Sequence, residues 1–83
     1  MKYALEYSTH ALRDIQKLDF LVRKRLKKSL ERFSKDPYNF AEKLTNSKLG
    51  SYRFRVGTYR IICDLSDRKI TVLRVGHRRE IYR

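Results

Sequence analysis

Residues 52–65 read Tyr52-Arg53-Phe54-Arg55-Val56-Gly57-Thr58-Tyr59-Arg60-Ile61-Ile62-Cys63-Asp64-Leu65, and their period is two. Tyr52, Phe54 and Val56 alternate with Arg53 and Arg55, and side chains two apart on a strand share a face. Gly57-Thr58 interrupts the alternation as a hairpin turn, the glycine being free to take positive φ. Tyr59, Ile61, Cys63 and Leu65 carry the apolar set of a second strand that turns at Ser66-Asp67, and Ile70 to Val75 forms a third, β-branched strand. Gly76 then releases a polar tail, His77-Arg78-Arg79-Glu80-Ile81-Tyr82-Arg83. With the apolar set inward, Arg53, Arg55 and Arg60 point together to the other side. Leu73 and Val75 inward place Arg74 with them, and Arg78 follows at the rim.

Upstream the period is 3.6. Lys2 to Tyr7 alternates weakly and reads as a short first strand. Ser8 or Thr9 caps a helix running to about Leu18, with Ala11, Leu12, Ile15 and Leu18 as its apolar stripe. Asp19 caps a second helix whose Val22, Leu26, Leu30 and Phe33 fall on one face, and Pro37 ends it. Pro37 to Leu49 is expected to be an irregular connection, with Asn46-Ser47 and Gly50 as turn residues. The expected fold is α+β, ordered β-α-α-β-β-β, with two N-terminal helices packed on one face of a small antiparallel sheet. Residues 1–83 are expected to make a single domain.

Composition narrows the function. Twenty-one Lys and Arg against nine Asp and Glu give a net charge of +12. The excess is concentrated: residues 13–35 and residues 49–83 each hold nine basic and three acidic side chains. Such a field attracts polyanions. The outer side of helix two carries Arg23, Lys24, Lys27, Lys28, Glu31 and Lys35, either as a solvated face or as a docking surface for rRNA or an acidic partner. No apolar run approaches the roughly 20 residues of a bilayer span, and no signal peptide is legible at the N-terminus. The one cysteine, Cys63, fits a reducing interior and reads as a small core residue. A cytoplasmic protein without membrane association is expected. His10, Cys63 and His77 lack metal-ligand spacing and no carboxylate cluster would hold magnesium, so neither metal nor cofactor is expected.

The arginine face suits phosphate, because the planar guanidinium donates bidentately and stays charged. Only Asp64 and Glu80 are expected to balance it. Unpaired like charges on neighbouring strands repel, which argues for an anion between them.

Leu49-Gly50-Ser51 leading into the stretch quoted above, together with Val75-Gly76-His77-Arg78-Arg79-Glu80-Ile81-Tyr82-Arg83, resembles the RelE branch of the RelE/ParE toxin superfamily. The basic helix pair fits as well, so the likeness covers nearly the whole chain. Such toxins are ribosome-dependent endoribonucleases that cut mRNA in the A site and are neutralised by an antitoxin. The resemblance implies that Arg60 and Arg78 bind the scissile phosphate and that Tyr82 orients the target nucleotide. Arg53 and Arg55 stand where the best-known members carry basic residues, often lysine. It also implies a RelB-like acidic antitoxin, the ribosome and mRNA as partners.

Metal-free RNA cleavage needs a proton taken from a 2′-OH, a stabilised phosphorane and a proton given to the leaving oxygen. Guanidiniums supply the second need, but arginine is too weakly acidic to act as a base. His77, with an ordinary imidazole, and Tyr82, beside arginines, are the candidates for the proton work. Two other classes of function stand beside this one. One is a ParE-like toxin that inhibits DNA gyrase without cleaving. The other is a non-catalytic RNA-binding module, against which the sheet's lack of exposed stacking aromatics counts.

Overall fold

The computed structural model describes residues 2–45 and 47–81. Strand β1 (Ala4–Tyr7) leads into helices α1 (Thr9–Gln16) and α2 (Phe20–Phe33). A short helix α3 (Pro37–Phe40) and a two-residue strand β2 (Glu42–Lys43) precede the meander of β3 (Tyr52–Val56), β4 (Tyr59–Ser66) and β5 (Lys69–His77). The α+β arrangement is as expected, and its sheet has five strands in the order β1-β5-β4-β3-β2.

Several local expectations change. The sheet is not wholly antiparallel, since β1 runs parallel to β5. A parallel pair requires a long connection, which residues 8–68, helices included, supply. The connection after α2 is not wholly irregular. Pro37 takes the first position of α3, where its missing N–H costs nothing, and β2 adds an edge strand beside β3. The second turn sits one residue later than expected: Asp67 and Arg68 both hold positive φ, the geometry of a tight hairpin. Strand β5 does not stop before Gly76 but pairs with β4 through His77.

The helices form where the apolar stripes predict. Ser8 caps α1, its Oγ accepting the Ala11 N–H at 3.0 Å, and its O–H donates to the Leu73 carbonyl of β5 at 3.0 Å. Asp19 occupies the cap position of α2 but makes no side-chain capping bond. Leu26, Leu30 and Phe33 of α2 and Ala11 of α1 bury against Phe54, Val56, Ile61, Cys63, Leu65, Ile70, Val72 and Val75. At the centre the Phe33 and Phe54 rings stack with centroids 4.7 Å apart. Tyr3 packs against this cluster, while Tyr7 is partly exposed.

The last strand contains the main departure. Cys63 pairs with Val72 while its neighbour Ile62 pairs with Arg74, so Leu73 is an extra residue, a β-bulge. The bulge shifts the alternation by one, which lets Ile70, Val72 and Val75 all reach the core. Leu73 is therefore not a core residue of the helix side as expected; it packs under Gly50 on the other face, beside Ile62.

Candidate nucleic-acid interface

The sheet face turned away from the helices is divided. One half lies under loop residues 47–51. Gly50 approaches so closely that a Cβ there would lie 2.7 Å from Ile62 Cγ2 and 3.0 Å from Leu73 Cδ1. The loop is pinned by the Ser51 N–H, which donates to Asp64 Oδ1 at 2.9 Å, and by the Leu44 N–H, which donates to the Ser51 carbonyl at 2.9 Å. Asp64, expected to balance the arginines by a salt bridge, thus serves as a backbone acceptor, and Ile62 is fully buried beneath the loop.

The other half, toward the Gly57-Thr58 turn, holds the arginines. Register places Arg53 opposite Ile62, Arg55 opposite Arg60, and Arg60 opposite Gly76, so Arg53, Arg55 and Arg60 share one face as alternation predicted. Arg60 is not an open side chain. It is 8% exposed and folds back along its own hairpin, Nη1 donating to the Gly57 carbonyl at 2.8 Å and to the Tyr59 carbonyl at 2.9 Å. Arg78 is exposed, and its N–H donates to the Thr58 carbonyl at 2.8 Å, which ties the start of the tail to the same turn.

Two carboxylates overlooked in the sequence sit among these cations. Glu42 of β2 lies opposite Arg53 and forms ion pairs with Arg53 Nη2, at 3.1 Å, and with Arg55 Nε. Partial desolvation pushes the Glu42 carboxyl up, but the hydrogen bond from Arg53 and the charges of Arg53 and Arg55 outweigh it and hold the group below its ordinary value. Asp14 of α1 accepts from Arg74 Nε at 2.8 Å and from the Val75 N–H at 2.9 Å. Arg74 keeps the register row of Ile62, yet its guanidinium is engaged at the β5 edge by Asp14. The face is consequently better balanced than composition suggested. β2 is too short to announce itself. Asp14 left a faint mark, an acid three residues from the core residue Ala11 in an apolar stripe.

His77 is not brought to the arginine face. It pairs with Tyr59, whose ring packs on the core, and the two rings meet edge-on at 5.7 Å on the helix side. Asp14, Lys17, Tyr59, Arg74, His77 and Glu80 line a cleft of about 460 Å³ there. His77 instead shapes the tail. Its Nδ1 accepts the Arg79 N–H at 3.2 Å and its carbonyl accepts the Glu80 and Ile81 N–H groups. Ile81 is buried and packs beside Gly76. Tyr82 lies outside the described residues. Among the described residues no three His, Cys, Asp or Glu stand together to hold a metal, and no helix is long and apolar enough to cross a membrane.

A family model described as ParE toxin of type II toxin-antitoxin system, parDE, matches residues 5–82. Toxin RelG of Mycobacterium tuberculosis is 33% identical over 86 residues, an alignment covering 100% of this chain and 99% of that protein. Among solved structures, the RelBE2 toxin–antitoxin complex of Mycobacterium tuberculosis superposes with a TM-score of 0.85 at 26% identity, covering 93% of this chain and 92% of that one. The isolated RelE toxin of E. coli superposes with a TM-score of 0.75 at 30% identity, covering 96% and 90%.

Proposed function

Since the chain belongs to the ParE toxin family of type II toxin–antitoxin systems, within the RelE/ParE superfamily, we propose that it is a ribosome-dependent endoribonuclease that cleaves mRNA in the A site and so inhibits translation. The observation that carries this reading is that the Gly57-Thr58 turn, beside Arg55, holds the Arg60 guanidinium at the Gly57 carbonyl and the Arg78 backbone N–H at the Thr58 carbonyl. Relatives that this chain resembles include RelE toxins and complexes of RelE with RelB.

The mechanism follows from what these groups are able to do. The 2′-oxygen attacks the adjacent phosphorus, the P–O5′ bond breaks, and a 2′,3′-cyclic phosphate and a 5′-hydroxyl are left. Charge builds on the phosphorane oxygens, and guanidiniums already fixed in place stabilise it without reorganising. Arg60 suits this role because its side chain is already fixed, 8% exposed with Nη1 donating to two carbonyls. Arg78 stands at the rim and Arg53 and Arg55 hold flanking backbone. Tyr82 orients the nucleotide and remains a candidate for the proton work. Glu42 is the carboxylate that the fold sets beside Arg53 and Arg55, whereas His77, on the other side of β5, acts on this site only through the tail it shapes.

A cytoplasmic toxin with this charge requires masking, and we expect an acidic, RelB-like antitoxin segment that folds over the arginine face. The function is tested with programmed ribosomes and a defined mRNA, by mapping 5′ ends. Cuts that need both the ribosome and this protein support the reading. Intact mRNA together with blocked DNA gyrase supports the ParE-like alternative instead.

A further inference from the structure

Gly57 is flanked by two guanidiniums, only one of which belongs to the sheet. Arg60 Nη1 donates to its carbonyl at 2.8 Å. On its other side lies Arg25 of α2: a Cβ at Gly57 would stand 2.8 Å from Arg25 Nη2, 3.2 Å from Nη1 and 3.3 Å from Cζ. Gly57 holds φ +59, a conformation that glycine takes at no steric cost and that side chains adopt only rarely. The backbone conformation favours glycine there, and the Arg25 guanidinium packs on the space that glycine leaves.

Arg25 is exposed and makes no ion pair among the described residues. Nothing in the core requires it, because Leu26 and Val22 supply the buried and half-buried positions of that turn of α2. A solvated arginine has no reason to lie along a turn that already carries Arg60 and anchors Arg78, since like charges brought together in this way repel. A shared anion removes the conflict. The fork of Arg25 has five N–H donors suited to phosphate, and its side chain makes no hydrogen bond or ion pair among the described residues.

We propose that Arg25 is a binding residue for the phosphodiester next to the one held by Arg60 and Arg78, so that α2 and the β3–β4 turn clamp consecutive phosphates of a single RNA strand. The inference rests on the reading of the arginine face as an RNA site. It assigns to one residue of α2 a role that the general charge of that helix does not explain.

The test uses the full chain, an uncleavable 2′-O-methylated single-stranded RNA oligonucleotide, and fluorescence anisotropy over a range of salt. Wild type, Arg25→Gln, Lys24→Gln and Arg60→Ala are compared. Lys24 is an exposed neighbour on the same helix and its replacement removes the same charge. One lost contact to a single strand makes the slope of log affinity against log salt shallower by about 0.7. Arg25→Gln is expected to show that change with several-fold weaker binding at low salt, and Lys24→Gln to keep the wild-type slope. An unchanged slope in Arg25→Gln overturns the inference while leaving the arginine face as an RNA site if Arg60→Ala still weakens binding. Equal losses in Arg25→Gln and Lys24→Gln overturn it too, because the effect is then one of general charge. A wild-type protein with no salt-dependent RNA binding overturns the site itself and the inference with it.

Discussion

Cys63 and the arginines illustrate how residues of known type acquire their behaviour from position. Cys63 is fully buried, and burial together with the neighbouring Asp64 charge pushes its thiol up to about 12. The thiolate is the nucleophile, so burial makes this cysteine inert. Alkylation by iodoacetamide at pH 8 is expected to be negligible in the native protein and rapid in denaturant; comparable rates in both would show that the core opens at little cost. Arg60 shows the complementary case. Its place on the arginine face was readable from alternation alone. Its low exposure and its bonds to the Gly57 and Tyr59 carbonyls were not, because alternation gives a side and says nothing of how a long side chain lies along it.

Among the elements, the stretch of β5 edge beyond its pairing with β1 depends on one acid. Asp14 satisfies the Val75 N–H there and holds Arg74. Asp14→Ala leaves a buried donor without its acceptor and is expected to lower stability by about 1–3 kcal/mol. A shift in the urea midpoint with an unchanged slope is the measurement that checks it. Glu42 gives β2 a pH dependence. Its folded-state pKa lies below the ordinary value, so the stabilisation is present above the ordinary carboxylate range and is lost as pH falls through the lowered value. Wild type is expected to be more stable than Glu42→Gln at neutral pH, with the two curves converging in acid. A gap that persists in acid would remove the ion pairs as its cause.

The two main helices and the meander were legible because each carries several turns of one period and ends at a recognisable capping or turn residue. The bulge at Leu73 was not, since a sequence with an extra residue looks the same as one with a strand facing the other way. The parallel pairing of β1 was hidden for another reason. Ala4–Tyr7 has the pattern of any short strand, and its partner is chosen by where the helices return the chain. Likewise, His77 was assigned to the site because its imidazole suits the proton work, yet residue type says nothing of side, and adjacent residues at a strand end face opposite sides. The Tyr59 pairing settles which side His77 takes.

Across the whole molecule, a net charge of +12 is distributed between the sheet's arginines and the basic outer side of α2, and Gly57 is where the two meet. Glu42 and Asp14 offset part of the arginine charge from within. The central claim is that Arg60 and Arg78 stabilise the transition state of mRNA cleavage on the ribosome. Its most direct test is the single-turnover cleavage rate on programmed ribosomes for wild type, Arg60→Ala and Arg78→Ala, with each variant's fold checked by its melting curve. Loss of one preorganised donor to a developing oxyanion lowers the rate by about 10²–10³-fold. The account predicts losses of that order in both variants. Folded variants that cleave at the wild-type rate would contradict it.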